Sequence, residues 1–149
     1  LRCLVGSEMC IRDSLPLGEL LAACDIISLH AAVTPQTCGM VNAAFLSQMK
    51  NGSYLINTAR GELVDHLAVK EALFSGKLAG AGFDTLSPEP VPADHPLVRL
   101  PPEVEDRVVF SPHLGGITAS SFCRAHRHMW SNVVRVFNGF QPDSIVNAL

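Results

Sequence analysis

The sequence predicts an α/β fold built on a mostly parallel sheet, with a long helix near its C-terminal end. Three observations carry this expectation. Four short apolar runs, 25–30, 53–59, 78–84 and 108–111, are rich in strand formers and bounded by turn residues. Helical patterns separate the first three runs. The connections are long enough for crossovers, which parallel pairing requires and a tight hairpin does not.

Size and composition set the frame. A chain of 149 residues that is 48% hydrophobic and 17% charged suits one compact domain. Its 11 basic and 14 acidic residues give a net charge of −3, and neither sign clusters, so the electrostatic footprint of a nucleic-acid binder is missing. No apolar run approaches the roughly 20 residues of a membrane helix, and no secretory signal pattern opens the chain. A cytosolic protein that binds neither membrane nor nucleic acid is expected. The five cysteines are odd in number and contain no C-x-x-C pair, which argues for reduced thiols over a disulfide framework or zinc knuckle. His126 and His128 are two apart on a helical pattern and point to different sides, so no metal site is expected there.

In chain order, residues 1–14 show neither helical nor strand periodicity. They resemble translated adaptor sequence or a disordered tail, and they are set aside from the fold. Gly18 to Cys24 reads as a short helix and Asp25 to His30 as a strand. Asn42 can cap a helix through Met49 whose Phe45, Leu46 and Met49 share a face. The turn pair Asn51-Gly52 opens the second strand, which leads to Thr58-Ala59-Arg60-Gly61. Asp65 can cap a helix carrying the stripe Leu67, Ala68, Ala72 and Leu73, with Gly76 to stop it. Leu78 to Asp84 is a strand of small residues, and its glycines mark a close approach. Ser87 to Pro102 holds six of the ten prolines and reads as a long, stiffened loop. Val108 to Ser111 is the fourth strand. The last helix, from about Thr118 to Asn138, carries Phe122, Met129, Trp130, Val133, Val134 and Phe137 at helical spacing, a stripe expected in a core. Ser144 to Asn147 reads as a short extended segment.

Four strand ends deliver His30, Arg60, Asp84 and His113, and parallel pairing would line them along one edge, where open α/β sheets bind ligands. Glu89, on the proline-rich loop, can reach the same edge. A carboxylate beside an imidazole favours the imidazolium and gives a proton donor and acceptor. A guanidinium adds bidentate recognition of a carboxylate. These parts suit interconversion of a 2-hydroxy acid and a 2-keto acid with hydride carried by a nicotinamide, although spacing alone leaves other α/β enzymes open.

The runs CDIISLHAAVTPQT, MKNGSYLINTARGELVD, GKLAGAGFDTLSPEP and SPHLGGIT resemble, in that order and spacing, the D-isomer-specific 2-hydroxyacid dehydrogenases. The resemblance covers Leu15 to Leu149. It implies the C-terminal half of a Rossmann-type NAD(P)-binding domain over 15–117, with 118–149 returning toward a substrate domain. By this resemblance Arg60 binds the substrate carboxylate and keto oxygen, His113 is the acid/base, and Glu89 orients and charges it. Asp84 would hold the nicotinamide carboxamide, while His30, Ala31, Thr34, Thr58, Ala59, Gly115 and Gly116 would line the nicotinamide side of NAD or NADP, beside Arg60 and His113. Glu89 counts against the formate dehydrogenase branch, which looks like it uses glutamine there.

There are departures. No G-x-G-x-x-G occurs, since Gly80-Ala81-Gly82 lies inside a later strand, and Thr85 and His66 are milder differences. The chain is therefore expected to be a fragment with little activity of its own, from a parent that is a homodimer. Two other classes compete with this. One is a dinucleotide-sensing corepressor, distinguished by partner capture without turnover. The other is a structural remnant, whose exposed edge strand at Asp25 to His30 would favour aggregation.

Overall fold

The computed structural model describes residues 15–145. They fall into two compact units, one ending at His113 and the other beginning at Leu114. The expectations for 1–14 and for residues 146 and 147 lie outside the described residues.

The first unit is an α/β layer whose four strands are all parallel, in the order β1-β2-β3-β4. Helix α1 (Leu17–Ala23) leads into β1 (Ile26–Leu29), an edge strand as the sequence implied. Helix α2 (Ala43–Gln48) starts where the Asn42 side chain accepts the Phe45 N–H, and it buries Phe45 and Leu46. Strand β2 (Ser53–Asn57) follows, then a single 3-10 turn, Gly61–Leu63. The sequence did not signal that turn, because Arg60-Gly61-Glu62 carries no helical pattern. Asp65 accepts from both Leu67 N and Ala68 N to start α3 (His66–Phe74). Gly76, at φ 73°, follows the helix in the left-handed conformation that glycine adopts freely.

The buried face of α3 is Ala68, Val69, Ala72 and Leu73, whereas Leu67 is 61% exposed. The expected stripe was thus one residue out of phase at its start: position 67 lies at the first turn, beside the polar cap, and turns outward. Strand β3 (Leu78–Phe83) packs against α3. The proline-rich stretch is a loop, as expected, and it ends in one unforeseen turn of helix, α4 (Pro102–Glu105). There Pro101 and Pro102 occupy the cap and first helical positions, where a missing N–H costs nothing. Strand β4 (Val108–Phe110) forms the other edge.

One face of the sheet carries the core. Ile27, Leu29, Leu55, Ala81 and Phe83 pack with Phe45, Leu46, Val69 and Leu73 from α2 and α3. The opposite face shows Ile26 and Tyr54 to solvent.

The second unit is α5 (Ala119–Phe137) with its flanking turns. Thr118 and Ser121 form a reciprocal capping box, and Gly139 sits at φ 79° beyond the last turn. The stripe expected in a core is exposed: no residue of α5 is buried, and Phe137 is 91% exposed. A single helix has no second layer of its own against which to bury a stripe. Ser144 and Ile145 form no strand. No helix among the described residues is long and apolar enough to cross a membrane.

Candidate active site at the carboxyl edge of the sheet

Register builds this edge. Leu29 pairs with Asn57, Asn57 with Phe83, and Phe83 with Phe110, so all four strands end flush. His30 and Asp84 come one residue later, and Arg60 and His113 three residues later. Asn57, 0% exposed, shapes the stretch that leads to Arg60. Its side-chain carbonyl accepts the Ala59 N–H at 3.0 Å and its amide donates to the Arg60 carbonyl at 2.8 Å. Gly61 is needed because a Cβ there would lie 2.2 Å from the carbonyl carbon of Leu86. Backbone touches backbone at this point, and the Arg60 stretch is set directly against the loop that carries Glu89.

His113 and Glu89 meet at this edge. His113 Nδ1 donates to Glu89 Oε2 at 3.0 Å, with both side chains a little under half exposed. His113 holds a φ of 54°, left-handed and uncommon for a residue with a side chain. Its N–H donates to the Asp84 carbonyl at 2.9 Å, which ties the bend to β3. Asp84 is buried and accepts from the Ser111 hydroxyl. Asp84, Glu89 and His113 share a cavity of about 560 Å³ whose apolar walls include Phe83, Val91, Val98 and Phe110.

The remaining sequence candidates stand apart from that cavity's lining. The Arg60 guanidinium donates to the carbonyl of Ala59 at 2.8 Å, and the residue is exposed. His30 Nε2 pairs with the Ser28 hydroxyl at 2.9 Å. Ala31 and Ala59 pack on the core, Thr58 is exposed, and Thr34 is tied into a turn with Thr37. Gly115 and Gly116 belong to the second unit, where the Gly116 carbonyl accepts from Ser121 Oγ at 2.6 Å. Asn57 and Ser111 were missed as supports. The available signal was a lone amide closing an apolar strand, and a hydroxyl one residue beyond the next-but-one strand. Among the described residues no group of three or more histidine, cysteine or acidic side chains could hold a metal ion.

Residues 7–115 match the family described as D-isomer specific 2-hydroxyacid dehydrogenase, NAD binding domain. The chain belongs to this family. The match starts within the first 14 residues, which the sequence reading had set aside. A glyoxylate reductase of Thermofilum pendens is 38% identical over 131 residues, 88% of this chain and 37% of that protein. A D-3-phosphoglycerate dehydrogenase of Haemophilus influenzae is 40% identical over 120 residues, 74% of this chain and 29% of its own length. Among solved structures, the NAD-complexed D-isomer specific 2-hydroxyacid dehydrogenase of Lactobacillus delbrueckii superposes with a TM-score of 0.79 at 34% identity, covering 89% of this chain and 43% of the other. One from Xanthobacter autotrophicus, in complex with NADPH, gives 0.73 at 33% identity, over 88% of this chain and 51% of that one. This dehydrogenase-family chain thus spans well under half the length of the curated relatives it matches.

Within that family the residues at the edge can be tested for fit to a nicotinamide. A buried carboxylate, Asp84, lies in a cavity with apolar walls beside an imidazole. A carboxylate accepts several hydrogen bonds at once, as a carboxamide N–H would need, and the apolar walls suit the flat face of a ring. The fit holds for the nicotinamide end.

Proposed function

We infer that the chain provides the acid-base and substrate-gripping half of an NAD(P)-dependent D-2-hydroxyacid dehydrogenase. The observation that carries this is the His113–Glu89 contact at 3.0 Å beside Asp84, at the carboxyl edge of a flush parallel sheet. When bound, the dinucleotide supplies or accepts the hydride. Everything else falls to side chains. Glu89 occupies Nδ1 of His113 and so fixes which way the ring faces, leaving Nε2 to give a proton to the keto oxygen or take it from the hydroxyl. Arg60 grips the substrate carboxylate through paired N–H groups and draws charge from the carbonyl. Asp84, held by Ser111, receives the carboxamide, while His30, Ala31, Thr34, Thr58, Ala59, Gly115 and Gly116 line the cofactor's nicotinamide side. The parent is a cytoplasmic homodimer in this reading. The 149-residue chain alone turns over no substrate, because no glycine-rich phosphate turn lies in its sequence.

The test is kinetic, in a full-length enzyme that includes this chain. With glyoxylate, hydroxypyruvate or phosphohydroxypyruvate and a reduced nicotinamide, His113→Asn should lower kcat by about 10²–10⁴. Arg60→Lys should act mainly on KM, since an ammonium cannot grip a carboxylate bidentately. Unchanged kcat in His113→Asn, or turnover by the 149-residue chain itself, would contradict the assignment.

A further inference from the structure

At the proline-rich loop that carries Glu89, a second pair of residues, two histidines, meets in a place the proposed dehydrogenase chemistry does not use. His66 is the first residue of α3, and His95 lies in the loop, 3% exposed. Their ring centroids are 4.6 Å apart at 66°. The Nε2 of each is buried and meets no hydrogen-bond partner. We propose that the two form a neutral imidazole pair, His95 Nε2–H toward His66 Nε2, which clamps the loop to the start of α3 and so positions Glu89 against His113.

The tautomer of His95 follows from its other nitrogen. Nδ1 accepts the Leu97 N–H at 3.2 Å, so the ring carries its proton on Nε2. That leaves a buried donor on one ring and an unpartnered buried nitrogen on the other, in rings whose centroids are 4.6 Å apart. Leaving both unsatisfied would cost more than pairing them, directly or through one water. The Ser87 backbone lies near enough to the His95 ring to favour its protonated form, but Nε2 makes no hydrogen bond that satisfies it.

Burial is the main cause that keeps both rings neutral. It acts with the neighbouring His95 to lower the His66 titration to about 4, and it lowers that of His95 as well. The charged groups that oppose this are Glu62 and Asp65 on the His66 side and Asp94 beside His95, while the Phe83 ring meets His66 edge-on. A zinc ion on the two Nε2 atoms is disfavoured, because His95 would have to surrender the Leu97 hydrogen bond to free its lone pair.

The mechanical link to the site is short. His95 is fixed through its own N–H to Pro92 and through its carbonyl to Val98 and Arg99, and Leu97 beside it is buried. At the loop's other end Leu86 and Ser87 abut Gly61. Glu89 lies between these two anchors. His66 and His95 are therefore positioning residues, acting through Glu89. The proposal rests on the function assigned above to the His113–Glu89 pair.

The experiment uses the 149-residue chain labelled with nitrogen-15 at histidine, and it reads tautomers together with cross-peaks between the His113 ring and the Glu89 side chain. At pH 7 His95 should appear as the Nε2–H tautomer, with His66 neutral. His66→Phe keeps a ring but removes the acceptor, and should reduce the His113–Glu89 cross-peak by more than half; His66→Gln, which restores an acceptor, should recover it. An Nδ1–H tautomer at His95, an unchanged cross-peak in His66→Phe, or zinc binding that shifts both rings together would overturn the proposal. If His66→Phe does not fold, the wild-type tautomers and His66→Gln decide. None of these readouts depends on turnover, so loss of the dehydrogenase assignment would show separately, in the kinetics of the full-length enzyme.

Discussion

At the scale of single residues, the arrangement turns on places where no side chain could be added. Gly61 is the sharpest case. Its amide follows Arg60, and a methyl there would collide at 2.2 Å with the backbone of Leu86 and Ser87, which cannot swing aside as a side chain can. Gly61→Ala should cost about 2–3 kcal/mol or more of stability, as overpacking against a fixed wall does. Thermal unfolding of the variant measures it, and a melting temperature within error of the parent would show that the loop yields. Arg60, Asp84 and His113 stand out in the sequence because charged or titratable residues close apolar runs there, and the contact of Glu89 with His113 was within reach of its place on the proline-rich loop. Asn57 was not. An uncharged amide at a strand end looks like an ordinary turn residue, and its two hydrogen bonds to the next three residues exist only in the folded turn.

Among elements, the ends of the helices decide more than their middles. Lys77, just before β3, donates to the Ser47 and Met49 carbonyls and to Asn51 Oδ1, so all three ammonium hydrogens are spent closing the end of α2. Replacing Lys77 with methionine keeps the stem and removes these bonds. The expected loss is about 1.5–3 kcal/mol, the range for hydrogen bonds to a charged donor, and chemical denaturation would report it as a lower midpoint with unchanged slope. A slope that changes as well would mean that α2 itself is lost. Arg107 does the equivalent for α3, donating to the Leu73 carbonyl. Such long-range caps join residues some 30 positions apart, which is why periodicity placed α2 and α3 well but said nothing of Lys77 or Arg107. The same limit explains α5: its spacing announced a helix and a stripe, but spacing carries no information on what would cover that stripe.

For the whole molecule, acidity acts through the buried pair His66 and His95 in one window and Asp25 in another; burial lowers the titration of both imidazoles. His66 titrates near 4 in the folded state against 6.5 in an ordinary setting, chiefly through burial. Between those values the unfolded chain binds the extra proton, so stability is full above about pH 6.5 and is lost as pH falls toward 4. Asp25 is held below the usual 3.8 by its hydrogen bond and charge contact with Lys50, so its contribution persists above 3.8 and fades only below it. Melting temperature should therefore fall between pH 6.5 and 4, and His66→Gln should make that part of the profile shallower, with His95 keeping a share of it. A slope unchanged in the variant would place the proton uptake elsewhere. Parallel pairing, the edge position of β1 and the gathering of polar strand ends were all foreseeable, because connection length and the right-handed crossover leave few topologies.

The contact between Gly61 and Leu86 also sets how the site comes apart. Two stretches whose backbones touch cannot open one at a time, so 57–63 and 84–89 should lose amide protection as one unit in hydrogen exchange, with a common dependence on denaturant. Arg60 and Glu89 would then be present together or absent together, and, in the roles proposed for them, partial unfolding would leave no population that grips a carboxylate while lacking its proton relay.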